Sequence, residues 1–243
     1  MTTIILLHGI GGDIWGPVLP AFASSEILAW DLPGYGGAPM LPEITFPAMA
    51  AALRDRLDAD CIPRIDLIGH SIGGMLAQEF ALAYPARVRS LVLYATTPAF
   101  GGRDPAFAEQ FLAERLAPLE TGGGMAELAA EMPGMLGPHA PDGAAGTAVA
   151  AMAAVPQDAY RAMVACLTTF DRRADTARIA PPTLLITGDR DPLAPPRIME
   201  RMRDAIRGSR LVVLPDAGHL AHLEQPAAFG AAVKGFLAAV REG

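Results

Sequence analysis

Six short apolar runs, most ending in a loop that carries glycine or a charged residue, set the fold class of this chain. They lie at residues 3–7, 26–30, 64–68, 90–94, 183–187 and 210–214. Each is the length of a strand, and several read as unbroken Ile, Leu and Val rather than as alternating patterns. Strands that read this way are buried on both faces, which is the signature of a parallel sheet covered by crossover helices. Longer helical stretches separate the runs, at 46–58, 73–84 and 225–240. The expectation is an α/β fold with a mostly parallel sheet of about six strands flanked by helices. Between residues 96 and 179 strand candidates disappear, and Gly, Pro, Met and Ala dominate. Helical pieces are expected there at 105–116, 125–131, 143–154 and 157–170. The chain therefore reads as one core, residues 1–95 and 180–243, interrupted by a helical lid at 96–179.

Bulk properties narrow the function classes. With 243 residues, 51% hydrophobic and 19% charged, the chain has ample material for a buried core. A net charge of -7 argues against a broad nucleic-acid footprint, which needs a clustered basic face. The first apolar run has no basic residues ahead of it and is far too short to span a bilayer. No membrane association is expected, and the cytoplasm is the expected compartment. Cys61 and Cys166 form no metal-binding pattern and are expected as reduced packing residues. No cofactor motif or metal-ligand cluster is found. Oligomeric state is left open.

The most specific motif is Gly69-His70-Ser71-Ile72-Gly73. A strand precedes it and a helix follows it, so the motif forms a sharp strand-to-helix turn. Such a turn exposes the Ser71 hydroxyl at a helix N-terminus, where the dipole favours developing negative charge. Ser71 is thus a candidate nucleophile. A second glycine-rich loop, His8-Gly9-Ile10-Gly11-Gly12-Asp13, follows the first run. It matches neither a dinucleotide-binding nor a P-loop pattern. A loop of this kind brings main-chain N–H groups close to a reacting oxygen, and acyl transfer needs two such donors. Ile72, after the nucleophile, and Ile10, in this loop, are the candidates.

A serine nucleophile needs a base that also returns the proton, which near neutral pH means histidine. His219 follows the last run in a turn, where catalytic residues collect in a parallel sheet. His222 is the second candidate, expected either to line the site or to be solvated. His70 and His8 are expected in packing or hydrogen-bonding roles, and His139 on the surface. The acid that orients the base is sought in Gly188-Asp189-Arg190-Asp191, after the 183–187 run. Asp191, deeper in the loop, is preferred, with Asp189 as a turn residue. The order Ser71, Asp191, His219 follows the Ser…Asp…His order of one large hydrolase fold.

With these motifs in place, the chain resembles the α/β-hydrolase superfamily over essentially its whole length. His8-Gly9, Asp31-Leu32-Pro33-Gly34-Tyr35-Gly36, Gly69 to Gly73, Gly188 to Asp191, and Gly218-His219 with Glu224-Gln225-Pro226 carry the resemblance. It implies the α/β-hydrolase fold, with Asp191 as the acid and the Ile10 N–H as the loop donor. It departs from the family in lacking two strands ahead of the first glycine loop. Within the superfamily, Val155-Pro156-Gln157-Asp158-Ala159-Tyr160, Phe170-Asp171-Arg172-Arg173 and Thr96-Thr97-Pro98 are similar to the 3-oxoadipate enol-lactonase group.

That resemblance implies a small-molecule lactone or ester substrate, as in an enol-lactonase or carboxylesterase. Thioester, C–C bond hydrolysis and perhydrolysis use the same triad and stay open, as does a non-catalytic ligand-binding role. A carboxylate-bearing lactone would need a cation near Ser71, for which Arg103, Arg115, Arg161, Arg172 and Arg173 are candidates. Met125, Met132, Met135, Met152 and Met163 are expected either to line an apolar pocket or to pack the lid.

Overall fold

The computed structural model describes residues 2–101 and 105–242. Among them, six parallel strands form one sheet: β1 Thr3–Leu7, β2 Glu26–Trp30, β3 Ile65–His70, β4 Val88–Tyr94, β5 Thr183–Gly188 and β6 Arg210–Leu214. Their order is β2-β1-β3-β4-β5-β6. The chain starts at β1, crosses to the edge at β2, then returns past β1 to β3 and continues outward. The order therefore reverses between β1 and β3, whose register aligns Leu7 with Gly69. A crevice opens at such a reversal, beyond the carboxyl ends of the strands. Both glycine-rich loops, residues 8–13 and 69–73, leave the sheet there.

Side chains on β1 show how the two faces are buried. Ile4 and Leu6 join one apolar cluster, with Trp15, Ile68, Val92, Tyr94, Ile186 and Phe229. Ile5 and Leu7 join the other, with Leu53, Leu67, Leu76, Phe80, Leu93 and Leu185. All four β1 residues are fully inaccessible, as the unbroken apolar run requires. The helices covering these faces are α1 (Phe46–Ala59), α2 (Ile72–Ala83), α7 (Pro196–Ala205) and α9 (Pro226–Glu242), with a short α8 (Ala221–Glu224). Helix α1 starts at a Thr45 cap, whose hydroxyl accepts the Ala48 N–H at 3.3 Å. The edge strands β2 and β6 are only partly buried.

Among the described residues, four α-helices separate β4 from β5: α3 Pro105–Glu120, α4 Gly124–Ala129, α5 Ala144–Ala153 and α6 Gln157–Leu167. Their buried residues, including Leu128, Ala148, Met152 and Val164, belong to the same cluster as Leu7 and Ile72. They thus pack onto the carboxyl-end side of the sheet rather than forming a separate core.

Strand β3 runs two residues past the expected end, to His70, and delivers the chain directly into the turn at Ser71. Helix α6 stops at Leu167, short of the expected 170. Helix α7 had no counterpart in the sequence reading. Cys166 is buried, where loss of hydration pushes its thiol up to about 12. Cys61 is exposed, at a φ of 56°, and so is not the packing residue expected. Among the described residues, no helix is long and apolar enough to cross a membrane.

Candidate active site

Ser71 sits between β3 and α2 with φ 54° and ψ -118°. This is a backbone conformation that L-residues rarely adopt, and its neighbours hold it there. The Ser71 N–H donates to the Tyr94 carbonyl at 2.9 Å, and the Ser71 carbonyl accepts from the Thr96 hydroxyl at 2.8 Å and the Gly74 N–H at 2.9 Å. The flanking glycines are required by close approach. A Cβ on Gly69 would lie 2.3 Å from the Gly73 carbonyl oxygen, and one on Gly73 would lie 2.4 Å from that of Leu7. Strand, turn and helix can meet only without those side chains.

Ile72 opens α2, so its N–H is one of the four that no carbonyl of the helix can accept. Ile10 lies across from it in the loop after β1. A tight turn fixes that loop, with the Gly12 N–H donating to the Gly9 carbonyl at 3.1 Å. A neighbouring loop stitches it down. The Tyr35 hydroxyl donates to the Ile10 carbonyl at 3.1 Å, and the Leu32 N–H donates to His8 Nε2 at 3.0 Å. That second bond makes Nε2 an acceptor, so His8 is neutral with its proton on Nδ1, facing the Gly9 carbonyl at 2.7 Å. Burial drives its pKa below 6.5, in keeping with a neutral ring.

His219 lies in the turn after β6 with its Nδ1 directed at Asp191, 2.9 Å from Oδ2 and 3.0 Å from Oδ1. Asp191 is buried, and its Oδ1 also accepts the N–H groups of Leu193 (2.8 Å) and Ala194 (2.9 Å). Burial alone would raise this carboxyl. The positive charge and hydrogen bond of His219, with the two N–H donors, outweigh burial and hold it below its usual 3.8. A carboxylate at Nδ1 fixes the proton there and leaves Nε2 as the basic nitrogen. Asp189 is exposed, with Arg190 3.6 Å from its carboxylate.

The main chain around His219 is held at several points. Its carbonyl accepts from the Tyr94 hydroxyl at 2.8 Å and from His70 Nε2 at 3.0 Å, and its N–H donates to the Met135 carbonyl at 2.7 Å. The buried Glu224 carboxylate accepts the N–H groups on either side, Gly218 at 3.0 Å and Leu220 at 3.2 Å, and also that of Gly137 at 2.7 Å. In the sequence Tyr35 and Glu224 stand only as members of the Asp31 to Gly36 and Glu224-Gln225-Pro226 motifs. Their roles as clamps depend on long-range contacts that no local pattern shows.

His222 is neither solvated nor exposed to the site, contrary to both sequence-based alternatives. It is 1% exposed, packed 4.5 Å from the Trp15 ring, with Nδ1 3.1 Å from the Tyr94 hydroxyl. Burial, then the charge of His219, lowers its pKa to about 3. His70 is likewise buried and held well below 6.5 by burial first, then by His219 and His222. His139 is on the surface.

Ser71, Ile10, Ile72 and His219 all border one cavity of about 420 Å³. Apart from Thr96, Thr97, Arg115 and Tyr160, whose buried hydroxyl has no hydrogen-bond partner among the described residues, the rest of its wall is mostly apolar, with Phe100, Phe111 and Val164 among the contributors. Of the candidate arginines, Arg115 reaches this wall, and it is paired with Glu131. Arg161 pairs with Glu120, Arg172 with Glu79 at 2.6 Å, and Arg173 with Asp171. Arg103 lies outside the described residues. Of the candidate methionines, Met125 and Met163 are core, whereas Met132, Met135 and Met152 border a second, smaller cavity that also touches Ser71. Among the described residues, no three His, Cys, Asp or Glu side chains converge as a metal site.

The chain is similar to known proteins. The Alpha/beta hydrolase family matches residues 4–232. A protein of Variovorax paradoxus (strain S110), named "Putative carbamate hydrolase RutD", is 33% identical over 98% of this chain and 92% of its own. The pimeloyl-[acyl-carrier protein] methyl ester esterase of Neisseria meningitidis (serogroup B, strain MC58) is 30% identical over 96% of this chain and 92% of its own. Among solved structures, the enol-lactonase of Burkholderia xenovorans LB400 superposes with a TM-score of 0.86 over 98% of this chain and 91% of that one. At 23% identity that likeness shows the fold alone. A six-stranded parallel sheet, a serine on a strained strand-to-helix turn and relatives matched end to end converge: this chain belongs to the alpha/beta hydrolase family.

Proposed function

We propose that the protein is a serine hydrolase that cleaves a carboxylic ester or small lactone through an acyl-enzyme on Ser71. The observation that carries this reading is the Asp191–His219 contact at 2.9 Å, made by a histidine that shares a cavity with Ser71. In this scheme His219 Nε2 takes the hydroxyl proton as Ser71 Oγ attacks the carbonyl carbon. The N–H groups of Ile10 and Ile72 hold the resulting oxyanion. Collapse breaks the bond to the leaving oxygen, which receives the proton from His219 Nε2. Water, deprotonated by the same histidine, then attacks the acyl-enzyme and frees Ser71 with release of the acid. Asp191 stabilises the imidazolium in both halves. Residues 96–179 act as the lid that shapes the cavity and keeps it largely apolar.

The two curated relatives are named for methyl ester and carbamate hydrolysis, both attacks on an acyl carbonyl, and this supports an ester-type substrate. The mostly apolar wall supports a neutral acyl chain over a highly charged one. The test is hydrolysis of a chromogenic short-chain ester by wild type and Ser71→Ala, with labelling by a fluorophosphonate probe. Turnover and labelling that both vanish in Ser71→Ala are expected. A wild type that neither turns over nor labels would sink the enzymatic reading and leave ligand binding as the alternative.

A further inference from the structure

Tyr160, on α6, is fully buried, and its hydroxyl has no hydrogen-bond partner among the described residues. The chain pairs its other two buried tyrosines, Tyr35 with the Ile10 carbonyl and Tyr94 with the His219 carbonyl. A hydroxyl stripped of water and left unpaired destabilises a fold, and a phenylalanine would fill the same space without that cost. Tyr160 also borders the 420 Å³ cavity that touches Ser71. An unpaired donor in the wall of a cavity points to a ligand that completes it.

The surroundings of Tyr160 fix what that ligand offers. Helix α6 is seated on the loop that carries Tyr35: a Cβ on Gly34 would lie 2.7 Å from the Cβ of Ala159, the neighbour of Tyr160. Burial, then the nearby Tyr160 hydroxyl, raises the pKa of Tyr35. Burial likewise raises Tyr160, and the Arg115 guanidinium opposes it, so the phenol stays protonated with that cation close by. Both Arg115 and Ile10, to which Tyr35 is bonded, border the same cavity. Beside a guanidinium the phenol oxygen turns toward the positive charge and its O–H points away, which makes the group a donor. Arg115 is the one permanent cation among the described residues lining the cavity, and Glu131 already pairs it. A carboxylate brought here would lose its water to a charge that is already matched. We infer that Tyr160 binds a second, uncharged acceptor oxygen on the substrate, a ketone or amide carbonyl distinct from the one that Ser71 attacks. The substrate class is then an ester or lactone bearing a further carbonyl, rather than a plain alkyl ester or one ending in a free carboxylate. This rests on the proposed role of Ser71 as nucleophile.

The experiment compares wild type with Tyr160→Phe, which removes one oxygen and keeps the ring. The substrates are methyl hexanoate, its keto isomers with the carbonyl at the fourth or fifth carbon, and monomethyl adipate, which ends in a carboxylate. Pentyl acetate and its keto analogue at the fourth carbon of the alcohol place the second oxygen on the other side of the ester. Wild type should prefer at least one ketone to its parent in kcat/KM by about tenfold, the discrimination that one hydrogen bond gives. Tyr160→Phe should lower that keto-to-parent ratio about tenfold, whereas a purely structural tyrosine would move both substrates alike. The Tm of the free variant should equal or exceed that of wild type, because an unpaired hydroxyl has gone. Keto-to-parent ratios unmoved by Tyr160→Phe, a preference for monomethyl adipate over every ketone, or a fall in Tm would overturn the assignment. Calorimetry repeats the comparison without turnover: the preferred ketone should bind Ser71→Ala about tenfold more tightly than it binds the Ser71→Ala, Tyr160→Phe double variant. If esters are turned over but the ratios do not move, this inference fails and the hydrolase reading stands. If no ester is turned over, the hydrolase reading fails, and equal binding of every ketone by the two Ser71→Ala proteins would overturn the Tyr160 subsite as well.

Discussion

The His219 imidazole meets both oxygens of the Asp191 carboxylate, at 2.9 and 3.0 Å, although the two residues lie on loops from different strands. The contact is buried, and Asp191 Oδ1 also accepts from the Leu193 and Ala194 N–H groups. Asp191→Asn would place an amide where His219 needs an acceptor and favour the wrong tautomer. A loss in kcat of about 10⁴-fold is expected, as in serine proteases with the equivalent change. Asp189→Asn, at an exposed position, should leave kcat/KM near wild type. Steady-state kinetics of the two variants compare the positions directly, and an equal loss in both would refute the assignment.

Backbone strain at Ser71 gives a second prediction. Ser71→Ala should lower kcat by about 10⁴-fold or more while the fold survives. Ser71→Gly should be equally inactive but more stable than Ser71→Ala, because glycine adopts a φ of 54° without strain. A residue held in such a region costs about 1–3 kcal/mol. Thermal denaturation of the two variants measures the difference, and equal Tm values would show that Ser71 is not strained.

Gly73→Ala should be severely destabilising. Its Cβ would meet the carbonyl oxygens of Leu7 at 2.4 Å and His8 at 2.6 Å, both main-chain atoms at the end of β1. Neither can rotate away. Overpacking of this kind costs about 1–3 kcal/mol or more, readable as a drop in the urea midpoint.

Acidification should unfold the protein through its buried histidines. His8, His70 and His222 are all pushed below 6.5 by burial, His222 to about 3. In the unfolded chain each binds a proton near pH 6.5, and in the folded protein only at lower pH. Their stabilisation is therefore complete above pH 6.5 and is lost as pH falls toward the folded values. Each contributes a slope of about 1.4 kcal/mol per pH unit in that window. The lowered Asp191 acts in the same direction, below its usual 3.8. Urea denaturation between pH 7 and 4 should show this slope, shallower in His222→Gln. A stability independent of pH over that range would contradict the neutral, buried state of these rings.

Glu224→Gln should loosen the base without touching it. The carboxylate gathers N–H groups from both neighbours of His219 and from Gly137, and an amide turns one of those acceptors into a donor. A cost of about 1–3 kcal/mol in stability is expected for a buried donor left unsatisfied. Thermal denaturation checks the stability, and a reduced kcat at unchanged KM would show that His219 is displaced.

The strands were legible because a parallel strand buried on both faces must be apolar throughout, as Ile4, Ile5, Leu6 and Leu7 are. Ser71 was legible because its turn needs glycine at fixed offsets on both sides. Helix α7 was not, because it presents only Met199 and Met202 to the core amid Arg197, Glu200, Arg201, Arg203 and Asp204. The fate of His222 was hidden for a different reason. What buries it is Trp15, from the opposite end of the chain, and no local window contains both. The sequence left the five lid methionines open between lining a pocket and packing the lid, and it is the approach of Met132 and Met152 to Gly11 that places these two at a cavity wall.

The order of strands has a consequence for incomplete chains. Ser71 and the loop after β1 leave two neighbouring strands, β3 and β1, while the loops that carry Asp191 and His219 follow β5 and β6, which come later in the sequence and lie toward one edge of the sheet. In the proposed scheme a chain cut before β6 carries Ser71 without the histidine that would take its proton, so fragments of this fold are inert however well the serine turn itself forms.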